Sequence, residues 1–282
     1  MQKTIFTGEI KGVKVEHKFR PAGFEMSQKH FHSEYELYYL AQGEREYFIN
    51  SKTYHIKRDN FVFIPSNQIH KTSSVNELAH ERILIMIDRE EIEKMKENFP
   101  LLPLKRLDEN CIVADLEGDN QTYAKLMLAG IVREMREKKR GYQDAVKIKM
   151  MDLLIFLLRM QKEGEEEEAV IQTPKHQKIY EIADYLLKNY RRNENLEELS
   201  EKFYISKFYL CRSFKEVTGM GMNEYIHMAR IKQAVRLLED TSWSVSRISE
   251  EVGYDSVTYF EKVFKKYMQF SPLGYKKRRG NS

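Results

Sequence analysis

The sequence predicts an α+β chain of two domains: an N-terminal β-barrel with a helical hairpin, then an all-α domain built on two helix-turn-helix units. Three observations predict it. The 282 residues exceed what one ordinary core needs. Near Asn120 the apolar pattern changes from short aromatic and β-branched runs to a helical spacing. One stretch of the second half then repeats at an offset of 49 to 50 residues.

The strands come first. Tyr35–Leu40, Arg45–Asn50, Phe61–Pro65 and Glu81–Asp88 are punctuated by Gly43, Asn50-Ser51, Asp59-Asn60 and Ser66-Asn67, the pattern of a barrel or sandwich. In the next segment Tyr123, Leu126, Met127, Gly130, Ile131, Glu134 and Met135 recur at 3/4 spacing. Ala145–Met160 carries Val146, Met150, Leu153, Leu154, Leu157 and Leu158, so two amphipathic helices joined at Gly141 make a hairpin over 120–163. Ile148, Met151, Ile155 and Phe156 spread the apolar surface of the second helix over more than one face. That helix is therefore either sandwiched within its own domain or buried against a second subunit, and a homodimer through the hairpin is expected. Residues 164–174 read as an acidic linker: Gly164 breaks helix, Glu165–Glu168 repel one another and Pro174 can open a new helix. From 175 to 282 the pattern is helical throughout.

Composition narrows the function. With 41% hydrophobic and 32% charged residues the chain is not disordered throughout. Its longest strongly apolar stretch, Leu153–Leu158, is far short of a membrane span, and Lys3, Glu9, Lys11 and Lys14 interrupt any signal peptide, so a cytoplasmic protein away from membranes is expected. Two cysteines, Cys111 and Cys211, exclude a disulfide framework and a Cys-based zinc finger. Residues 175–282 hold 20 Lys and Arg against 14 Asp and Glu, whereas 1–174 hold 27 against 29. A basic second half points to nucleic acid at that end.

The repeat gives this charge a geometry. LSEKFYISKFYLCRSFKEVTG begins at Leu199 and ISEEVGYDSVTYFEKVFKKYM at Ile248. Ser206, Leu210, Phe214 and Lys215 correspond to Ser256, Phe260, Phe264 and Lys265, and the extra residue falls around Gly253–Asp255. Each copy is a short helix, a turn, and a second helix that a Ser can cap. Leu210, Phe214 and Val217 share a core face, with Phe208, Cys211, Arg212 and Lys215 opposite. Phe260, Phe264 and Tyr267 do the same in the second copy, with Thr258, Glu261, Lys262 and Lys265 opposite. A helix that is polar and basic opposite its core fits a DNA major groove. The helix predicted over Asn223–Glu239 would hold the two readers about one DNA turn apart.

RIKQAVRLLEDTSWSVSRISEEVGY, DSVTYFEKVFKKYMQFSP and Tyr275 resemble the signature of the AraC/XylS family of bacterial transcription regulators, over about 175–279. The resemblance implies seven helices and base contacts at Phe208, Cys211 and Arg212 in one unit and Val257, Thr258 and Lys262 in the other. Lys265 and Lys266 fall to phosphates. It also implies promoter DNA and RNA polymerase as partners, and activation, with Glu239, Asp240, Glu250 and Glu251 as acidic candidates for polymerase contact. Two departures are visible. Gln269 stands where family members often have Gly, so a different turn is expected there, and Phe208, Cys211 and Val257 suit thymine methyls better than hydrogen bonds.

In the first half, Gly23, His30, His32, Glu36 and Gly43, followed by Asp59, Pro65 and His70, resemble the paired motifs of the cupin barrel, which many members of that family carry as an effector-sensing domain. Strand parity lets His30, His32, Glu36 and Tyr38 line one wall, with His70 returning to them. This set suits a small-molecule effector pocket, a divalent metal, or a structural polar cluster. Arg58, where metal cupins usually have Gly, weighs against the metal, and Tyr38 and Tyr47 favour a hydroxyl-rich ligand such as a sugar. No nucleophile motif, phosphate loop or other catalytic constellation is present, and His55, His80, His176 and His227 read as isolated. The chain thus reads as a ligand-responsive, sequence-specific activator of carbohydrate-related genes; the alternative is a metal-dependent cupin enzyme fused to a DNA-binding module.

Overall fold

The computed structural model describes residues 2–23, 34–66, 68–75, 78–108, 111–160 and 173–280. His30 and His32 lie outside them, as does nearly all of the acidic linker. A six-stranded antiparallel sheet runs in the order β1 (Lys3–Ile10), β2 (Val13–Arg20), β8 (His80–Ile87), β3 (Tyr35–Gln42), β6 (Phe61–Ile64), β9 (Ile112–Ala114). A three-stranded sheet runs β5 (Lys52–Ile56), β4 (Arg45–Ile49), β7 (His70–Ser74). Tyr38, Leu40, Val62 and Ile64 of the large sheet meet Tyr47, Ile49, Tyr54 and Ile56 of the small one in a shared core, the barrel lumen. The opposite face of the large sheet, with Val15, Leu37, Tyr39, Phe61, Phe63, Ile85 and Ile87, packs on helices. Both faces are covered, which is why YELYYL is buried throughout instead of alternating.

Those helices are α1 (Arg89–Asn98), α2 (Gly118–Glu137) and α3 (Tyr142–Met160). Val146, Met150, Leu153, Leu154, Leu157 and Leu158 of α3 are buried in the same core as the sheet, so the helix is sandwiched within its own half. Leu126 and Ile148 stay 62% exposed.

The second half holds α4 (Pro174–Lys188), α5 (Leu196–Lys202), α6 (Lys207–Thr218), α7 (Met222–Asp240), α8 (Val245–Glu251), α9 (Val257–Met268) and α10 (Pro272–Gly280). Side chains cap five of their starts: Thr173 at α4, Asn195 at α5 in a capping box with Glu198, Ser206 at α6, Ser244 at α8 and Ser256 at α9. At 19 residues, α7 is about 28 Å long. Its buried Arg230 reaches back to the carbonyls of Tyr190 and Arg192 and the side chain of Asn193, and lies 5.2 Å from the Tyr254 ring. One guanidinium thereby fixes the connector against both the α4–α5 loop and the second unit.

The expectation of a different turn at Gln269 is corrected. Gln269 takes the left-handed φ of 63° that Gly219 takes at 70° after the first reading helix, so the helix ends alike without the glycine. The turns inside the two units also match: Tyr204 (φ 54°) and Gly253 (φ 88°) are both left-handed.

The halves share a core. Phe48 and Ile69 of the small sheet are buried among the helices, with Phe48 edge-on to Tyr225 at 6.2 Å. The Tyr225 hydroxyl donates to the Asn50 carbonyl, the Thr53 N–H donates to the Tyr180 hydroxyl at 3.2 Å, and Arg89 pairs with Glu239.

A Cβ at Gly253 would lie 2.8 Å from the Arg191 carbonyl oxygen, on a backbone that L-residues rarely adopt. Gly253→Ala is expected to cost about 1–3 kcal/mol in urea unfolding. Gly221→Ala, at φ −73° with open space beside it, is expected to be near neutral.

Candidate functional site

Two surfaces concentrate functional chemistry. The first is the pair of reading helices. In α6 the buried stripe is Leu210, Ser213 and Phe214, with Val217 half-buried. Phe208, Cys211, Arg212 and Lys215 face solvent, Phe208 at 76% exposure. In α9 the stripe is Phe260, Val263 and Phe264, with Tyr267 half-buried; Val257, Thr258, Lys262, Lys265 and Lys266 are exposed. Each reading helix begins on its Ser, whose hydroxyl accepts an N–H three residues on, at 3.3 Å in both. His227 sits beneath the second unit, its ring nitrogens 3.0 Å and 3.2 Å from the Tyr254 and Tyr259 hydroxyls.

The second surface is the barrel lumen. Glu36 and His70 come together as strand parity predicts, 3.4 Å apart. Glu36 also accepts from the Tyr47 hydroxyl at 3.1 Å, and His70 Nδ1 donates to the Gln68 carbonyl at 2.9 Å. Tyr38 stands edge-on to Tyr47 at 5.0 Å. Burial pushes the Tyr38 hydroxyl up to about 12, and burial then Glu36 push Tyr47 well above its usual range. Among the described residues, no three His, Cys, Asp or Glu side chains gather as metal ligands.

The lumen also contains residues that motif reading passed over. Arg45 is 1% exposed and donates from Nε to Thr72 Oγ1 at 2.9 Å. Arg82 and His80 are buried beside it, and Arg20 lies across from His80 on β2. Burial first, then Arg45, Arg82 and Arg20, drive the His80 imidazole down to about 3. The signal for these residues was period-two parity: Arg20 lies opposite His80, and Arg82 opposite Leu40, which faces the lumen.

Between barrel and connector lies a crevice of about 410 Å³ lined by Tyr35, Gln68, Arg89, Asp108, Lys232 and Arg236, among others. Lys232 donates to Gln68 Oε1 at 2.6 Å, and burial then Arg236 lower its ammonium to about 8.

The chain was compared with known proteins. Residues 17–154 match the family described as the AraC-like ligand binding domain, and residues 199–278 match one described as a helix-turn-helix domain. The HTH-type transcriptional activator RhaR of Mannheimia succiniciproducens is 23% identical over 288 residues, covering 98% of this chain and 95% of that protein. An uncharacterized HTH-type transcriptional regulator of Haemophilus influenzae is 26% identical over 256 residues, covering 84% of each. Among solved structures, ToxT from Vibrio cholerae aligns with a TM-score of 0.42 at 16% identity, over 95% of this chain and 98% of that one.

The depressed His80 makes stability depend on pH. Between pH 6.5 and 3 the unfolded chain binds a proton there that the folded chain does not, so this contribution is present above pH 6.5 and falls away as pH drops. His176 and His227 are also lowered, so the comparison needs a variant. From pH 6.5 to 5, His80→Gln is expected to lose about 1–2 kcal/mol less than the wild type in urea unfolding. Equal losses would place His80 outside this field.

Proposed function

This chain belongs to the AraC-family transcription regulators, a ligand-binding domain joined to a helix-turn-helix domain, and on that premise we propose that it is a cytoplasmic activator. In this reading residues 1–163 sense a small polar molecule, the 120–163 hairpin joins two copies, 164–174 link, and 175–282 read promoter DNA. It acts as a regulator and not as an enzyme.

The observation that carries the DNA reading is the duplication itself. Two helices, each opened by a capping Ser and closed by a left-handed residue, turn exposed polar and basic faces away from one core. Arg212 can take guanine O6 and N7 bidentately, and Lys262 is its counterpart in the second unit. Phe208, Cys211 and Val257 supply apolar contact to thymine methyls. Lys215, Lys265 and Lys266 take phosphates. Relatives named as activators support activation, and with it contact to RNA polymerase.

The effector reading rests on Glu36, His70, Tyr38 and Tyr47, with His30 and His32, which lie outside the described residues, as further candidates. These aromatic faces and hydrogen-bonding groups suit a sugar or sugar derivative. A dimer is supported by Leu126 and Ile148, exposed apolar side chains on the two hairpin helices.

Footprinting is expected to show two protected major-groove segments per chain, about 10–10.5 base pairs apart. Arg212→Ala is expected to cost about 1–3 kcal/mol and relax preference in one segment. Lys265→Ala and Lys266→Ala should weaken all sequences alike and lower the salt slope by about one per lost contact. Equal loss for specific and random DNA in Arg212→Ala would overturn its role as a base reader.

For assembly, Leu126→Glu with Ile148→Glu is expected to give monomers in analytical ultracentrifugation. A wild-type chain already monomeric at tens of micromolar would overturn the hairpin dimer.

A further inference from the structure

The crevice between barrel and connector is used neither by the reading helices nor by the lumen. Its volume of about 410 Å³ suits a small ligand. Gln68 and Arg89 reach it from the barrel half, Lys232 and Arg236 from α7. Lys232 and Arg236 stand four residues apart, so α7 stacks two cations on the face it turns toward this space. Like charges at that spacing repel one another.

The other charges of the crevice are engaged or distant. Arg89 pairs with Glu239, which also accepts from the Tyr275 hydroxyl at 2.8 Å. Asp108 is taken by the Tyr35 hydroxyl and by Lys96 at 2.6 Å. Asp240 stands eight residues along α7 from Lys232, about 12 Å of helix. Lys232 differs from all of these. Among the described residues its ammonium donates to the Gln68 side-chain oxygen at 2.6 Å, an uncharged acceptor, and no carboxylate pairs with it. Burial and then Arg236 lower it to about 8, with no acid acting the other way. Arg236 likewise makes no ion pair among the described residues. An ammonium carries three donors, and one of them is used here. What this end of the crevice lacks is a negatively charged acceptor.

We infer that the crevice is a second ligand site, for a small molecule whose oxyanion group, a carboxylate or a phosphate, sits between Lys232 and Arg236 beside the Gln68 amide. Asp240 repels charge at the far end, so the remainder of the ligand is uncharged and offers hydroxyls that this carboxylate can accept from. The inference stands apart from whatever the lumen binds. The two sites are neighbours, because the Gln68 backbone carbonyl accepts from His70, which faces the lumen. An anion held at once by Gln68 and by α7 fastens the barrel to the connector that carries both reading helices.

Isothermal titration of the full-length chain with glycerol, glycerate, glycerol 3-phosphate and inorganic phosphate tests this. Glycerate or a phosphate compound is expected to bind and glycerol not to, and the anion arms separate carboxylate from phosphate. Lys232→Gln and Arg236→Gln are each expected to weaken that binding at least about tenfold. Lys94→Gln, at an exposed lysine of α1 that pairs with Glu90 outside the crevice, is expected to leave it unchanged. Should Lys232→Gln fail to fold, Arg236→Gln, at an exposed position, carries the same test. No binding of any anion to the folded wild type at tens of millimolar overturns the inference. Anion binding kept in both crevice variants overturns it as well, since the anion then sits elsewhere. Equal weakening by Lys94→Gln overturns it too, by reducing the effect to overall charge.

Discussion

The rest of the molecule depends on a sheet of only three strands that is covered on both faces. One side of β5-β4-β7 faces the lumen through Arg45, Tyr47, Ile49 and Ile56. The other side gives Phe48 to the helical core, where it meets Tyr225 of the connector; Ile69, just before β7, joins it there. Strand alternation makes this division sharp, since neighbouring residues must point to opposite faces. Three strands are near the lower limit for a sheet, and this one needs an apolar face packed on something else. It is held by what packs on its two sides, so whatever alters one side bears on the other.

The clearest case is β7. His70 faces the lumen and contacts Glu36, while the next residue, Lys71, reaches the carbonyl of Gly219, the residue that ends the first reading helix, at 3.4 Å. Gln68 doubles the connection. Its backbone carbonyl accepts from His70 and its side chain accepts from Lys232 on the connector. The four residues Gln68–Lys71 thus join the lumen side chain of His70 to both the end of α6 and α7. Nothing comparable joins the barrel to α9 in the described contacts, where Arg230 carries the link from within the helical half. The first unit is tied to the barrel directly and the second through the connector.

Much of this was legible in the sequence, and for identifiable reasons. The helix-turn-helix pair was readable because its signal is duplicated. A Ser cap, two apolar anchors and a basic residue at fixed spacing seldom recur at one offset by chance, and the caps and buried stripes fall where that spacing puts them. The Glu36–His70 approach was readable from parity. β1 and β2 were not, because their alternation is filled with Lys and Glu, as in KTIFTGEI and VKVEHKFR, where charge masks the period. α1 was hidden because only Ile92 and Met95 mark its apolar face. The turn at Gln269 was misread because residue identity is a weaker guide than repeat position: the left-handed geometry belongs to the place, and Gln accepts its cost there. Arg45 and Arg82 were overlooked because an arginine in an aromatic strand looks like an outward residue until both faces of the sheet are known to be covered.

The shared core also limits how a ligand can act. With Phe48, Ile69 and Tyr225 packed together, the two halves share one core and are not beads on a string. A ligand shifts such an equilibrium only by the difference in its affinity for two arrangements. Driving it from 1:99 to 99:1 takes about 5.5 kcal/mol. Hydrogen bonds to charged groups contribute about 1.5–3 kcal/mol each, so two or three of them, made in one arrangement and absent in the other, reach that scale.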